Sequence, residues 1–172
     1  VKAELLKGMV VGDNPITAAR AMVRRVRDKY DLAMSRALTI ARTEMLDANR
    51  MAALAADKAS SSVLTGWLWM AHLDPATCRG CVGMHGTVHP VDEPGPLDHQ
   101  NGRCARIPKT KTWQELGIKG IDEPDLLQDA DQWFAGLSAG EQRRMLGKQG
   151  YIAWQEGRYP RGSWAVQQTN TG

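Results

Sequence analysis

The sequence predicts an α+β protein with a long N-terminal helix, a small antiparallel β-sheet carrying a Cys/His site, and short C-terminal helices. Three observations carry that prediction. Residues 15–62 repeat apolar side chains at steps of three and four, with no glycine or proline from Ile16 to Ser62. Residues 63–110 change to runs of strand-forming side chains broken by Gly and Pro, and they hold all 3 cysteines. Residues 111–160 return to helical signals, now cut short by Gly136, Gly140, Gly147, Gly150 and Gly157. Residues 15–160 are read as one domain, between an N-terminal extension (1–14) and a polar tail (161–172).

Asn14-Pro15 opens the first region, because Asn caps free amides and Pro fits the first helical position. Ile16, Ala19, Val23, Val26, Tyr30, Ala33, Ala37 and Ile40 then form a heptad seam, so one long helix or two nearly collinear ones are expected. Glu44 and Asp47 occupy the next seam positions, before the stripe resumes at Met51 and Leu54. That register puts the carboxylate of Arg42-Thr43-Glu44 on the buried face, paired with an Arg or capping a backbone group.

Val63 to Ala71, with Trp67, Leu68, Trp69 and Met70, reads as a strand ended by Asp74-Pro75. Residues 74–102 carry five Gly and four Pro and read as loop, with one short strand near Thr87-Val88-His89. Arg103 to Thr110 reads as a third strand, ended near Pro108. Beyond it, Thr112-x-x-Glu115 and Ser138-x-x-Glu141 match the capping box. Pro124 opens a segment with Leu126, Leu127, Ala130, Trp133 and Phe134 on one side.

Composition narrows the function classes. The chain has 172 residues and 42% hydrophobic content, which suits a globular domain with a sizeable core. A net charge of +3 is too small to argue nucleic-acid binding by itself. Arg20, Arg24, Arg25, Arg27 and Lys29 form a basic run, read first as a solvated helix face. No stretch reaches the length of a transmembrane helix and no signal peptide is visible. An odd number of cysteines argues against a secreted disulfide framework. The start at Val1 and the polar end, Gln167 to Gly172, are expected of a segment of a longer polypeptide or of trimmed ends.

The candidate chemistry lies in Cys78-x-x-Cys81 followed by His99 and Cys104. A Cys-x-x-Cys knuckle brings two sulfurs to one tetrahedral ion, and an imidazole and a third sulfur complete a Cys₃His zinc set. Four protein ligands leave no open position for water, which describes a structural staple rather than a catalytic metal. Such binding supplies on the order of 10 kcal/mol in small metal-dependent domains, enough to order a Gly/Pro-rich loop. Reduced thiols packed in a small core, and a Cys78–Cys81 disulfide or redox pair, are the other readings. His85 and His89 are rival ligands to His99.

Enzyme motifs are incomplete. His72-Leu73-Asp74 supplies Asp where a zinc deaminase needs Glu, and Pro75 stands too far from Cys78. Asp98-His99 resembles an HNH nuclease only in part, since no His follows His99. No P-loop, G-x-S-x-G or His-Glu-x-x-His is present.

Taken in order, Ala41-Arg42-Thr43-Glu44, Trp67 and Trp69, Asp74-x₃-Cys78-x₂-Cys81, Met84-His85-Gly86 and His99-x₄-Cys104 resemble the phage Mu F-type minor head protein domain, the phage head morphogenesis family. Trp133, Ser138, Gln142-Arg143 and Leu146-Gly147 extend the resemblance to about residues 30–157. Gly102 and Gln100 depart from the family's usual Cys and Pro, and Met84-His85-Gly86 replaces a Leu-Asp-Gly-like turn. The lost cysteine puts a Cys₄ site out of reach. The resemblance implies a structural, non-enzymatic virion component of a tailed bacteriophage. It implies several copies per virion, partners in the portal protein and other capsid proteins, and a place in the head near the portal after assembly in the host cytoplasm. Some such proteins enter the host with the DNA. In that setting the helical seam would dock on a portal helix or pack within the domain, and the basic run would face packaged DNA. The alternative function is a zinc-dependent nucleic-acid-binding protein or a degenerate HNH-like nuclease.

Overall fold

Asn14 starts a helix as its chemistry requires: its Oδ1 accepts from the Ile16 amide at 2.8 Å. The computed structural model describes residues 2–26, 34–120 and 127–165. Tyr30, Ala33, Arg27, Lys29, Pro124, Leu126 and the tail from residue 166 lie outside them. The chain divides into two units, 1–59 with 92–103, and 60–91 with 104–172.

The first unit is helical. It contains α1 (Lys2–Val11), α2 (Pro15–Val26) and α3 (Met34–Ala59). Residues 2–11, read from sequence as an extension, form α1, and Leu5 joins the core. Arg25 of α2 donates to Glu4 of α1 at 2.6 Å. The two helices found within residues 15–62 are not collinear: α2 packs against α3, with Ala18, Ala19 and Met22 facing Ala37, Ala41 and Met45. Alanines let the backbones approach closely, so ridges four residues apart interlock.

That packing corrects the predicted register. Buried positions on α3 are Ala37, Ala41, Met45, Arg50, Leu54 and Asp57, whereas Glu44 and Asp47 are exposed. The expected carboxylate on the buried face is therefore replaced by a buried guanidinium, Arg50. A seam drawn at 3.5 residues per turn drifts away from a straight helix of 3.6, and α3 follows the latter.

The second unit holds the sheet, in the order β2-β1-β3, all antiparallel. The strands are β1 (Leu64–Met70), β2 (Val88–His89) and β3 (Ala105–Thr110). This is the small sheet expected, and the α+β class holds. β3 runs through Pro108 instead of ending there, because an edge strand tolerates a residue without an N–H. Loop was expected at 74–102, but Arg79–Met84 folds as a one-and-a-half-turn helix, α4.

Helices α5 (Ala130–Ala135) and α6 (Ala139–Gln155) complete the unit. Asp129 caps α5, and the Ser138/Glu141 capping box forms at the start of α6. Hydrogen bonds of the same kind join Thr112 and Glu115, but they close a turn, not a helix. Gly147 (φ +73°) breaks α6 into two pieces, so these helices are short, as the glycine spacing predicts. Val82, Ala130, Phe134, Leu146, Tyr151 and Trp164 form one core. Phe134 meets Trp164 and Trp154 edge-on at 4.7 and 5.0 Å. Trp67, Trp69, Ala71, Cys81 and Cys104 form another.

Candidate metal centre

Strand periodicity brings the sulfurs together. Trp67 and Trp69 share the buried face of β1, and Arg106 pairs with Trp69 across to β3. Cys104, two residues before Arg106, falls on the same face by the two-residue alternation of strands. Helix α4 packs Cys81 into this cluster from the other sequence segment. Cys78 is the N-cap of α4, and its Sγ accepts from the Cys81 amide at 3.4 Å. Asp74 prepares that cap, accepting from the Ala76 amide at 2.9 Å and the Thr77 hydroxyl at 3.0 Å. The Thr77 hydroxyl shares its single proton between that carboxylate and the His72 carbonyl, and accepts from the Asp74 amide at 3.2 Å.

The Cys81 sulfur lies within 4.8 Å of the Cys78 sulfur and within 4.8 Å of the Cys104 sulfur. Sulfurs on one tetrahedral zinc stand about 3.8 Å apart, given Zn–S bonds of about 2.3 Å. Each of the pairs Cys78–Cys81 and Cys81–Cys104 is thus close enough for sulfurs that share an ion, although the three sulfurs are not all within 4.8 Å of one another. None of the three is in a disulfide; Cys81 and Cys104 are buried and Cys78 is exposed. The Cys81 thiol is held far above its ordinary range, first by its hydrogen bond with Cys104, then by that with Cys78, then by burial. Crowded by two further sulfurs, the Cys81 thiol resists ionising alone, whereas a divalent cation would compensate the charge of a thiolate there.

The far end of α4 is fixed as firmly. Arg161 Nη1 donates to the carbonyls of Val82, Gly83 and His85 at 3.1, 3.3 and 2.9 Å, and its Nε pairs with Asp131 at 2.9 Å. The His85 ring uses both nitrogens. Nδ1 accepts from the Ala71 amide at 3.1 Å, so Nε2–H donates to the Gln128 carbonyl at 3.0 Å. His85 is thus a buried structural histidine, its pKa lowered chiefly by desolvation, and not the rival ligand that the sequence offered. His89 stacks on Trp67 at 4.3 Å and shares a hydrogen bond with Thr87 Oγ1 at 2.9 Å. The Arg106 guanidinium also sits on the Trp67 ring, 4.6 Å from its centroid.

His99 belongs to the first unit, in the segment 92–103, and is exposed. Its Nδ1 lies 2.8 Å from the Gln100 carbonyl. A carbonyl only accepts, so Nδ1 carries the proton and Nε2 is the nitrogen with the lone pair a metal takes. The residues around His99 are tied to α3. Arg50 Nη1 and Nη2 grip the Asp98 carboxylate at 2.8 and 2.9 Å, and the Asp98 side chain is only 2% exposed. Arg42 Nη1 donates to Asn101 Oδ1 at 2.7 Å, and the Asn101 amide donates to Thr43 Oγ1 at 2.9 Å. Gly102 closes the turn by donating to the His99 carbonyl at 2.9 Å. A Cβ on Gly102 would occupy the place of the Asp98 carboxylate.

Sequence patterns give no role to Arg50, Asn101 or Arg161, and they mark Asp98 only as part of an incomplete nuclease motif. The Arg42-Thr43 motif is the local signal nearest to them. No helix among the described residues is long and apolar enough to cross a membrane.

The family described as Phage Mu protein F like protein matches residues 1–107. No curated protein matches, and no solved structure matches.

Proposed function

The chain belongs to the phage Mu protein F like family, and from that premise we propose that it is a structural phage head protein acting in head assembly at the portal vertex. The family match, from α1 through the first half of β3, carries this reading. In it the protein sits in the virion in several copies, touches portal and capsid subunits, and catalyses nothing in this segment. Exposed apolar side chains on α1, Leu6, Val10 and Val11, support contact with a neighbouring subunit. The α2–α3 stripe does not serve that purpose, being used within its own unit. Arg20 and Arg24 on α2 would face packaged DNA. The alternative, a zinc-dependent nucleic-acid protein or degenerate nuclease, gains nothing from the family.

Within this function the metal is a staple. Zinc would be held by Cys78, Cys81 and Cys104, with His99 as fourth ligand because it stands five residues before Cys104. When bound, it would supply cross-linking energy and no reaction, since a filled tetrahedral shell leaves no site for water.

The test is to recover assembled heads carrying an affinity-tagged copy of this chain and to cross-link them for mass spectrometry. Cross-links to portal subunits are expected. Heads free of the chain, or cross-links confined to soluble host proteins, would end the proposal.

A further inference from the structure

We propose that α3 positions the fourth metal ligand: Arg50, Arg42 and Thr43 hold the turn 98–102 so that His99 is presented ready to bind. The inference rests on the reading of His99 as a zinc ligand, and it assigns a purpose to the Arg42-Thr43 motif that differs from any role of Glu44. Four observations in the first unit support it. Asp98, directly before His99, is buried and gripped through both carboxylate oxygens by Arg50. Asn101, two residues after, is held through its side chain by Arg42 and through its amide by Thr43. The His99 carbonyl closes the turn with the Gly102 amide, and Asn101 takes the left-handed conformation (φ +63°) that this closure uses. Gly102 leaves the room that the Asp98 carboxylate fills.

The physical consequence is preorganisation. A bidentate Arg–carboxylate contact fixes distance and plane, so Asp98 is an anchor rather than a loose neighbour. With anchors on both sides, the imidazole need not be ordered when the ion arrives, and affinity gains what ordering would otherwise consume. Groups that orient metal ligands commonly change affinity about 10- to 100-fold when removed. Arg50, Arg42 and Thr43 are positioning residues, since none is assigned to the metal itself.

The experiment is a thermodynamic cycle on the full chain, with zinc affinity read by competition against a chromophoric chelator. Wild type, Arg50→Met, His99→Ala and the double variant are compared, with far-UV circular dichroism confirming helix content. Arg50→Met should weaken zinc binding about 10- to 100-fold when His99 is present. In the His99→Ala background the same change should alter affinity less than about twofold, because the ligand it positions is gone. Equal losses in both backgrounds would show that Arg50 supports the fold generally, and would overturn the inference while leaving His99 as ligand. No loss on His99→Ala would overturn the ligand reading and this inference together. Should Arg50→Met fail to fold, Thr43→Val runs the same cycle. It removes the acceptor of the Asn101 amide, together with a bond from the Thr43 hydroxyl to the Thr39 carbonyl within α3, and should weaken zinc about fivefold in the His99 background, the equivalent of one neutral hydrogen bond to the turn. No change there would likewise overturn the proposal.

Discussion

Gly102→Ala is expected to be far more damaging than the backbone alone suggests, and its cost should vanish when Asp98 is removed. Gly102 does not lie in the left-handed region, so an added methyl meets no conformational penalty there. The new Cβ would coincide with the Asp98 carboxylate, which must then leave its pocket. Asp98 is 2% exposed and Arg50 9%, so displacement breaks a buried ion pair. Breaking such a pair costs about 3–5 kcal/mol, since one charge stays buried without compensation. Asp47, also on Arg50 at 2.8 Å but 56% exposed, offsets only a little of this. Asp98→Ala alone should cost a similar amount, about 3–5 kcal/mol, because it leaves the Arg50 charge buried without this partner. In that background Gly102→Ala should be neutral or stabilising by about 0.4–1 kcal/mol, through the smaller freedom of the unfolded chain. The coupling energy is therefore about 3–6 kcal/mol, well above measurement error. Urea unfolding followed at 222 nm is the assay, because none of the 6 Trp residues lies in the first unit and helix signal reports it instead. Additive effects, or a Gly102→Ala cost below about 1 kcal/mol, would refute the claim that Asp98 fills the place of a side chain at position 102.

Other outcomes follow from the second unit. Protein purified without chelator should contain about one zinc per chain, and Cys78→Ser or Cys104→Ser should remove it and lower the thermal midpoint; metal-free wild type of undiminished stability would remove the staple. Stability should fall as pH drops below 6.5, the ordinary pKa of His85. The sign follows from linkage: burial depresses the folded pKa, so the contribution is present above the unfolded value and is lost as pH falls through the folded one. His85→Asn should flatten that part of the profile, and an unchanged slope in urea midpoints between pH 7.5 and 5.5 would refute the assignment. Arg161→Met should cost about 2–4 kcal/mol, as one charged donor group leaves three carbonyls at the end of α4. Trp fluorescence during denaturation reads this directly, and a loss below 1 kcal/mol would show that water replaces the guanidinium.

Local rules were visible in the sequence wherever one residue's chemistry decides a local event. Asn14 at a helix start, the Ser138/Glu141 capping box and the helix-breaking glycine at 147 all act through neighbours within a few positions. The strands were visible because Trp-rich and β-branched runs stand between Gly and Pro. Cys78, Cys81 and Cys104 stand out in the sequence as candidate ligands by residue type and spacing, and the fold brings Cys78 and Cys104 each near Cys81. The register of α3 was not. A heptad seam and an i,i+4 ridge share Ala37 and Leu54 but diverge between them, and only the partner helix decides which is buried. Glu44 was misplaced for that reason, and Arg50 was overlooked because a lone arginine on a helix is normally solvated.

Composition and spacing alone determined the class of fold, the three strands and the capped starts of α2 and α6, and singled out the cysteines as candidate metal ligands; α1 and α4 were not legible there. Tertiary structure decided which charges are buried. Arg50 and Asp98 are 48 positions apart, and Arg42 and Asn101 are 59 apart. Nothing in either local sequence announces a partner at such range, because side-chain pairing energy depends on desolvation that only the folded chain imposes.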